Sequence, residues 1–330
     1  MPTYNALVVH DRDGEYTNQI EEKNTKDLPE GDLLIRVHHS SLNYKDALSA
    51  TGNKGVTRSY PHTPGIDAAG EIIESNDDDW KAGDEVLVTG YDLGMNTPGG
   101  FGQYICIPKH WAVKLPDNLT TKESMTYGTA GFTAALSVFR LLESGTKPDQ
   151  GEILVTGATG GVGSLAVGIL AQEGFDVVAA TGKTSETDYL SKLGAKEIIS
   201  RNDIIDESER PILSSRWAGV IDTVGGNILT TSLKTTQYGG AVTCCGLVAS
   251  PELQTTVFPF ILRGIKLIGI DSVLCPMNIR QQIWTKIATT WKLSTLQEII
   301  VDCSLQKLDE PIDRILKGQI RGRVVVDVSS

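Results

Sequence analysis

Glu152-Ile153-Leu154-Val155-Thr156-Gly157-Ala158-Thr159-Gly160-Gly161-Val162-Gly163-Ser164 is the stretch on which the fold turns. Glu152 to Thr156 reads as a buried strand, and the run from Ser164 to Glu173 reads as a helix. The glycines between them let backbone N–H groups approach a pyrophosphate, while the helix points its positive end at the same charge. A glycine-rich turn alone is a weak signal. Between a strand and a helix, inside a unit of about thirty residues, it becomes a strong sign of a dinucleotide site. Thr159, Gly160, Gly161, Val162 and Gly163 are therefore the candidate phosphate contacts.

The next strand, Phe175 to Ala180, runs into Thr181-Gly182-Lys183. A dinucleotide site usually carries an acid here, about twenty residues past the loop, to bind the adenine ribose hydroxyls. No carboxylate occupies this place. An acid would repel a 2′-phosphate, whereas the Thr181 hydroxyl, the Gly182 N–H and the Lys183 ammonium would hold one. The expected coenzyme is NADPH, against the alternative that Lys183 is only a solvated loop lysine. Arg201, after the segment Glu197 to Ser200, is a second candidate for the phosphate or the adenine.

Working outward, strands alternate with helices from about residue 129 to 275, the pattern of a doubly wound parallel sheet. Upstream, Leu33 to His38, Gly70 to Glu74, Glu85 to Val88 and Gln103 to Ile107 read as short strands between Gly, Pro and Asp turns, which suggests a small β barrel. Gly322 to Val328 is a last strand, detached from the α/β run and expected to return to the barrel. The predicted organisation is a barrel domain at 1–125 completed by 295–330, with a nucleotide-binding domain at 126–294.

The whole chain sets outer bounds. Its 330 residues suffice for two domains. A net charge of −11, from 41 acids against 30 Lys and Arg, argues against nucleic acid or an anionic membrane surface as partner, so an anionic ligand needs a local positive site. No basic leader with an apolar core and no spanning apolar run is visible, and a cytoplasmic protein is expected. Five scattered cysteines without CxxC spacing read as reduced core thiols.

A barrel followed by this dinucleotide unit resembles the medium-chain dehydrogenase/reductase superfamily along essentially the whole chain. Zinc members of that superfamily have a ligand cysteine where this sequence has Asn43, and a Gly-His-Glu segment where it has Gly65-Ile66-Asp67. The four-cysteine lobe of those enzymes is missing, and the five histidines lack matching partners, so no metal is expected. The segments Ser40 to Leu48, Pro64 to Asp67, Gly128 to Ala134, Ala180 to Lys183, Ile221 to Gly225 and Pro259 to Arg263 are similar to those of its acrylyl-CoA reductase group, NADPH-dependent relatives of the quinone oxidoreductases. That group has arginine where Lys183 stands; lysine keeps the charge and loses the bidentate fork.

The resemblance implies a GroES-like barrel, a Rossmann domain and a homodimer. It also implies reduction of a conjugated double bond: without a Lewis acid, hydride added at the β carbon leaves charge on a carbonyl oxygen that hydrogen bonds can hold. Tyr44 is the candidate proton donor or enolate donor, with stacking on the coenzyme or a ribose hydrogen bond as the competing role; Asn43 and Asp46 are expected to organise its loop. Thr129 is expected at the nicotinamide or a phosphate, or as a plain helix cap, and Leu247, Ile261, Ser272 and Arg323 are further coenzyme neighbours that the resemblance suggests. A coenzyme A substrate would draw on Lys45, Lys54, Arg58, Arg263 or Lys266. The substrate expected is an enoyl-CoA, with a quinone as the rival acceptor and a non-catalytic NADPH sensor as the rival of another class.

Overall fold

In the computed structural model, which describes residues 2–329, the apolar runs of the middle of the chain become a six-stranded parallel sheet. Its order is Glu197–Ser200, Val177–Thr181, Ile153–Val155, Trp217–Asp222, Thr236–Cys244, Lys266–Gly269. Numbered along the chain this is 3-2-1-4-5-6, the Rossmann order. Every residue of Val177–Thr181 and Trp217–Asp222 is buried, which is why their sequences carry no polar alternation. Helices Gly161–Gln172, Thr187–Lys192, Gly226–Thr235 and Phe258–Arg263 fall between successive strands. Leu154, Val178, Val220 and Val242 pack with Leu229 and Leu233 into its core. This unit comprises Ala130–Ser272 and Thr290–Glu298.

The second unit takes the chain up to Thr129, then Val273–Thr289 and everything from Ile299 on. Leu33–Leu42 organises its sheet. Along one edge this strand pairs with Asp67–Ser75; along the other it pairs first with Tyr104–Ile107 and then with Arg323–Asp327, all antiparallel. The terminal strand therefore does return to the β half. Leu33, Ile35, Val37, Ile72, Phe101 and Val324 are among the buried side chains that fill the interior.

Some expectations change. Val273–Thr289, placed by the sequence in the nucleotide-binding half, belongs to the β unit: Arg280 is wholly buried there and donates to the Thr89 carbonyl at 2.8 Å and the Val273 carbonyl at 3.0 Å. The loop helix begins at Gly161 and not Ser164, so Gly161, Val162 and Gly163 form its first turn. The helix expected from Thr129 opens there, preceded by another from Thr121; the two are divided at Gly128, whose φ of 49° and ψ of −154° are open to glycine alone. Of the five cysteines only Cys275 is fully buried; the other four are half-buried, with Cys244 and Cys303 packed against the two cores, and none is in a disulfide.

Candidate functional site

In the Rossmann unit the loop is closed by backbone. Gly160 donates to the Gly157 carbonyl at 2.9 Å, and Ser164 donates to the Gly160 carbonyl at 2.9 Å as the first helical bond. The N–H groups of Gly161, Val162 and Gly163 therefore stand at the helix start without an intrahelical acceptor. Their partial positive charge and the helix dipole make an anion seat.

At the end of the neighbouring strand, Thr181 is only 3 % exposed. Its hydroxyl accepts the Lys183 N–H at 3.0 Å and lies 3.3 Å from the Thr159 hydroxyl. Thr181 thus shapes the turn and ties it to the glycine loop, and does not offer its hydroxyl outward. Gly182 and Arg201 are the exposed groups here. The Arg201 side chain lies across Gly182 so closely that a Cβ at 182 would sit 3.0 Å from Arg201 Cδ and Nε. A side chain at 182 would make that guanidinium give way by a few tenths of an ångström.

Past the strand Thr236–Cys244, a cleft of about 560 Å³ is lined by Gly225, Cys244, Cys245, Leu247, Ser250 and Asp271, among others. Leu247 is 64 % exposed at its wall, and Ser272 follows Asp271 directly. Ile261 is not among the residues that line the cleft; it stands 68 % exposed on the helix Phe258–Arg263. Burial pushes the Cys245 thiol up to about 12, so it is no thiolate nucleophile at neutral pH.

The β unit holds a different kind of site, built from side chains. Asp67, wholly buried, accepts from Ser41 Oγ at 2.6 Å, Asn43 Nδ2 at 2.8 Å, the Thr129 N–H at 2.9 Å and Thr129 Oγ1 at 2.5 Å. Arg323 lies 3.7 Å away and is itself 3 % exposed. Its guanidinium donates to Ser41 Oγ at 2.7 Å, the Leu42 carbonyl and Asn43 Oδ1 at 3.1 and 3.3 Å, and the Thr126 carbonyl at 3.1 Å. Burial works against the charge of Arg323, and Asp67 and then Asp46 favour it. Arg323 is the counter-charge of the cluster, enclosed on every side, rather than a coenzyme contact.

Asp46 sits in the first turn of the helix Tyr44–Ala50 and accepts the N–H groups of Asn43 at 2.7 Å and Ile66 at 2.8 Å. Desolvation, then the Asp67 charge, push its carboxyl up to about 7. Asn43 spends its amide inside the cluster: Nδ2 faces Asp67, with Asp46 at 3.3 Å, and Oδ1 faces Arg323. Asn43 and Asp46 are thus internal fasteners of the loop, and Tyr44, 38 % exposed at the helix start, is its outward member. Thr129 opens the helix beyond the Gly128 break, with the Asp67 carboxylate in the place of an N-cap acceptor.

Asp67 and Ser41 are the members of this cluster that sequence reasoning missed. The segment Gly65-Ile66-Asp67 enters the sequence reading as a place where metal ligands are lacking and as part of the family resemblance, with no role given to Asp67 itself. The signal available was the acid itself, kept where the rest of a ligand set is gone.

Of the cations considered for coenzyme A, Arg263 donates to the carbonyls of Lys234 at 2.8 Å, Thr236 at 3.1 Å and Leu213, and Lys266 donates to the Ser144 carbonyl at 2.7 Å. Both are structural. Lys54 pairs with Asp11 at 3.0 Å over the Tyr60 ring. Half-buried Lys45 and exposed Arg58 make no side-chain pair among the described residues.

Comparison with known proteins agrees with this construction. Residues 29–117 match the alcohol dehydrogenase GroES-like domain and residues 161–288 match the zinc-binding dehydrogenase family. The chain belongs to the medium-chain dehydrogenase/reductase superfamily, in its acrylyl-CoA reductase group. It is 44 % identical to the putative quinone oxidoreductase YhfP of Bacillus subtilis, over 98 % of each chain. To the acrylyl-CoA reductase AcuI of Ruegeria pomeroyi it is 43 % identical, over 99 % of this chain and 100 % of the other. The YhfP structure with NAD bound superposes with a TM-score of 0.97 over 99 % of this chain and 100 % of that one. The yhdH oxidoreductase of Salmonella enterica in complex with NADP does so at 0.95 and 41 % identity, over 98 % and 99 %.

The zinc of the matched family's description does not fit these residues. Among the described residues no three His, Cys, Asp or Glu converge on one point. Ile66 has no donor atom, Asn43 turns its N–H groups inward, and the Asp67 oxygens already receive four hydrogen bonds, so no set of three or four lone pairs is available. Among the described residues no helix is long and apolar enough to cross a membrane.

Proposed function

We propose that the chain reduces activated carbon–carbon double bonds with NADPH, and that its substrate is an enoyl thioester of the acrylyl-CoA type. The observation that carries this is the turn Thr181-Gly182-Lys183 with Arg201 laid across it, cationic and without an acid, beside a glycine loop shaped for a pyrophosphate. The Gly160 to Gly163 amides would take the pyrophosphate, and Gly182 N–H, Lys183 and Arg201 the 2′-phosphate. When bound, NADPH supplies a hydride to the substrate β carbon. Tyr44, exposed at its helix start, either holds the resulting enolate oxygen or gives the proton to the α carbon; Asn43, Asp46 and Asp67 keep its loop in place. The products are the saturated thioester and NADP⁺. Thr129, Leu247 and Ser272 would contact the coenzyme, and Lys45 and Arg58 are the cations left to meet coenzyme A phosphates.

The relatives' names favour this acceptor through AcuI and a quinone through YhfP. Steady-state rates with acryloyl-CoA and a soluble quinone separate the two. A higher kcat/KM for acryloyl-CoA is expected; a higher value for the quinone assigns the chain to quinones, and no oxidation of NADPH with any acceptor leaves a sensor.

We infer a cytoplasmic homodimer. Phe258, Ile261 and Leu262 stand 44, 68 and 57 % exposed, beside a sheet whose edge strand Lys266–Gly269 has no neighbour on its outer side among the described residues. Such an apolar patch next to an unpaired parallel edge suits a two-fold contact. Leu262→Glu should shift sedimentation to the monomer; an unchanged mass in both proteins would place the interface elsewhere.

A further inference from the structure

Asp222 ends the strand Trp217–Asp222 fully buried, and among the described residues no cation pairs with it. Burial raises the pKa of its carboxyl, and hydrogen bonds from Gly225, Thr156 and Val224 oppose that rise. An acid without a counter-charge is costly inside a sheet unless donors meet its oxygens. Here they do. Oδ1 receives the Thr156 hydroxyl at 2.8 Å and Oδ2 receives the Gly225 N–H at 2.8 Å. Thr156 Oγ1 in turn receives the Thr223 N–H at 3.0 Å, so its single hydrogen is committed to Asp222. Thr223 also reaches back, its hydroxyl donating to the Thr156 carbonyl at 2.8 Å. Two strand ends are thus bound to each other, and the carboxylate fixes the sense of one bond.

Thr156 is also the residue before the glycine loop. Gly157 follows it with a φ of 59°, and a Cβ there would stand 2.4 Å from Thr223 Oγ1. The Gly157 carbonyl receives the Gly160 N–H at 2.9 Å, and a Cβ on Gly163 would stand 2.3 Å from that oxygen. Gly157 is therefore wedged between Thr223 and the start of the helix, and a shift of Thr156 moves the amides at Gly161 to Gly163 with it. We propose that Asp222 is a positioning residue for coenzyme binding, which through Thr156 sets where the first peptide of the glycine loop stands and so aims the amides that would receive the pyrophosphate. This rests on the reading of that loop as the pyrophosphate seat. Asp222 acts through Thr156 and is not itself a coenzyme contact.

Asp222→Asn breaks one side of this arrangement only. Its amide nitrogen is excluded from the Oδ2 place by the Gly225 N–H, so it takes the Oδ1 place and donates to Thr156 Oγ1. With the Thr223 N–H already there, the threonine hydrogen loses its acceptor in a buried site. The Gly225 bond remains, as does that of the Cys245 N–H to the Asp222 carbonyl at 3.1 Å. The probes are NADPH, which carries the pyrophosphate, and adenosine 2′-monophosphate, which lacks it and reports on the turn at Gly182 and Arg201. Their dissociation constants are measured on the full-length protein, by titration calorimetry for NADPH and by ligand-observed NMR for the monophosphate.

Asp222→Asn is expected to weaken NADPH about tenfold, and Thr156→Val, which removes the hydroxyl, about three- to tenfold, the effect of losing one or two buried hydrogen bonds. Thr156→Ser keeps the hydroxyl and should bind NADPH within about twofold of wild type. The monophosphate should bind all three variants within about twofold of wild type, whereas a general loosening of the sheet would weaken both probes. A loss of NADPH affinity below about threefold in folded Asp222→Asn, or an equal loss for the monophosphate, overturns the proposal. Should Asp222→Asn fail to fold, the threonine variants still decide, since NADPH held by Thr156→Val as tightly as by wild type, or lost equally in Thr156→Ser, also overturns it. Wild type that binds neither probe removes the functional reading and this proposal together; variants that bind NADPH as well as a binding wild type remove only this one.

Discussion

The glycine loop of the Rossmann unit and the Asp67 cluster of the β unit are two ways to hold reacting groups, and they fail differently. The loop is seven consecutive residues whose backbone is proposed to do the binding, so its requirement is conformational and local. The cluster joins side chains as far apart as Ser41 and Arg323, 282 positions along the chain, and its requirement is charge balance: two buried carboxylates against one guanidinium. Damage to the cluster should therefore appear as lost stability, and damage beside the loop as lost affinity.

Arg323→Met tests the balance most severely. It leaves Asp67 and Asp46 buried without a cation, and removing one partner of such a set costs about 3–5 kcal/mol. Urea unfolding at pH 8 should show a loss of that order, and a loss under about 1 kcal/mol would mean that Arg323 is not the counter-charge. Gly128→Ala comes next. Its φ of 49° disfavours any side chain, and the added Cβ would stand 2.5 Å from Asp67 Oδ2 and 2.6 Å from Ser41 Oγ. Strain and collision together should remove about 3 kcal/mol. By contrast, Gly182→Ala meets only the exposed Arg201 side chain and should leave stability within about 0.5 kcal/mol while weakening NADPH.

A smaller effect sharpens the same contrast through pH. The Asp46 carboxyl is raised from the ordinary carboxylate range to about 7, so the folded state holds a proton there that the unfolded chain has released. Its contribution is complete below about pH 4 and is lost as pH rises toward 7, with a slope of at most about 1.4 kcal/mol per unit. His62 runs the other way. Its burial, the leading cause, lowers its pKa, so stability is lost as pH falls below about 6.5. The Asp46→Asn difference isolates the first: wild type should lose ground against the variant from pH 4 to 7. A difference independent of pH would show that Asp46 is charged throughout.

Which parts of this were legible in the sequence follows from the same distinction. The loop, the missing acid at Thr181 and the buried strands could be read because each is decided by neighbours within a few positions. The helix start at Gly161 was misplaced by three residues because glycines read as loop until the backbone bond from Ser164 to Gly160 is seen. The hairpin Thr3–Arg12 and Glu15–Asn24 was not predicted. Its second strand is polar and has no fully buried residue, and pairing with the first holds it in place, with little apolar pattern of its own. Asn43, Tyr44 and Asp46 were found by family resemblance, but which of them turns outward depends on Asp67 and Arg323, and no local pattern connects those positions.

The smallest expected effect concerns coenzyme choice, and it bears on the loop side of the comparison. The YhfP structure carries NAD while that of yhdH carries NADP, so preference in this chain has to be read as a ratio. In this chain the ratio would come from Lys183 and Arg201, not from the amides at Gly161 to Gly163 that both coenzymes share. Lys183→Ala should raise the dissociation constant of NADPH about fivefold, as expected for one charge-assisted contact near solvent, and should leave that of NADH unchanged. Arg201→Ala should do the same, and the double variant should bind the two coenzymes alike, with unfolding curves that overlay the wild type. Equal weakening of NADH would move both cations to the shared pyrophosphate and remove the basis for an NADPH preference. A fall in stability would mean that this turn, like the Asp67 cluster, is held by its side chains.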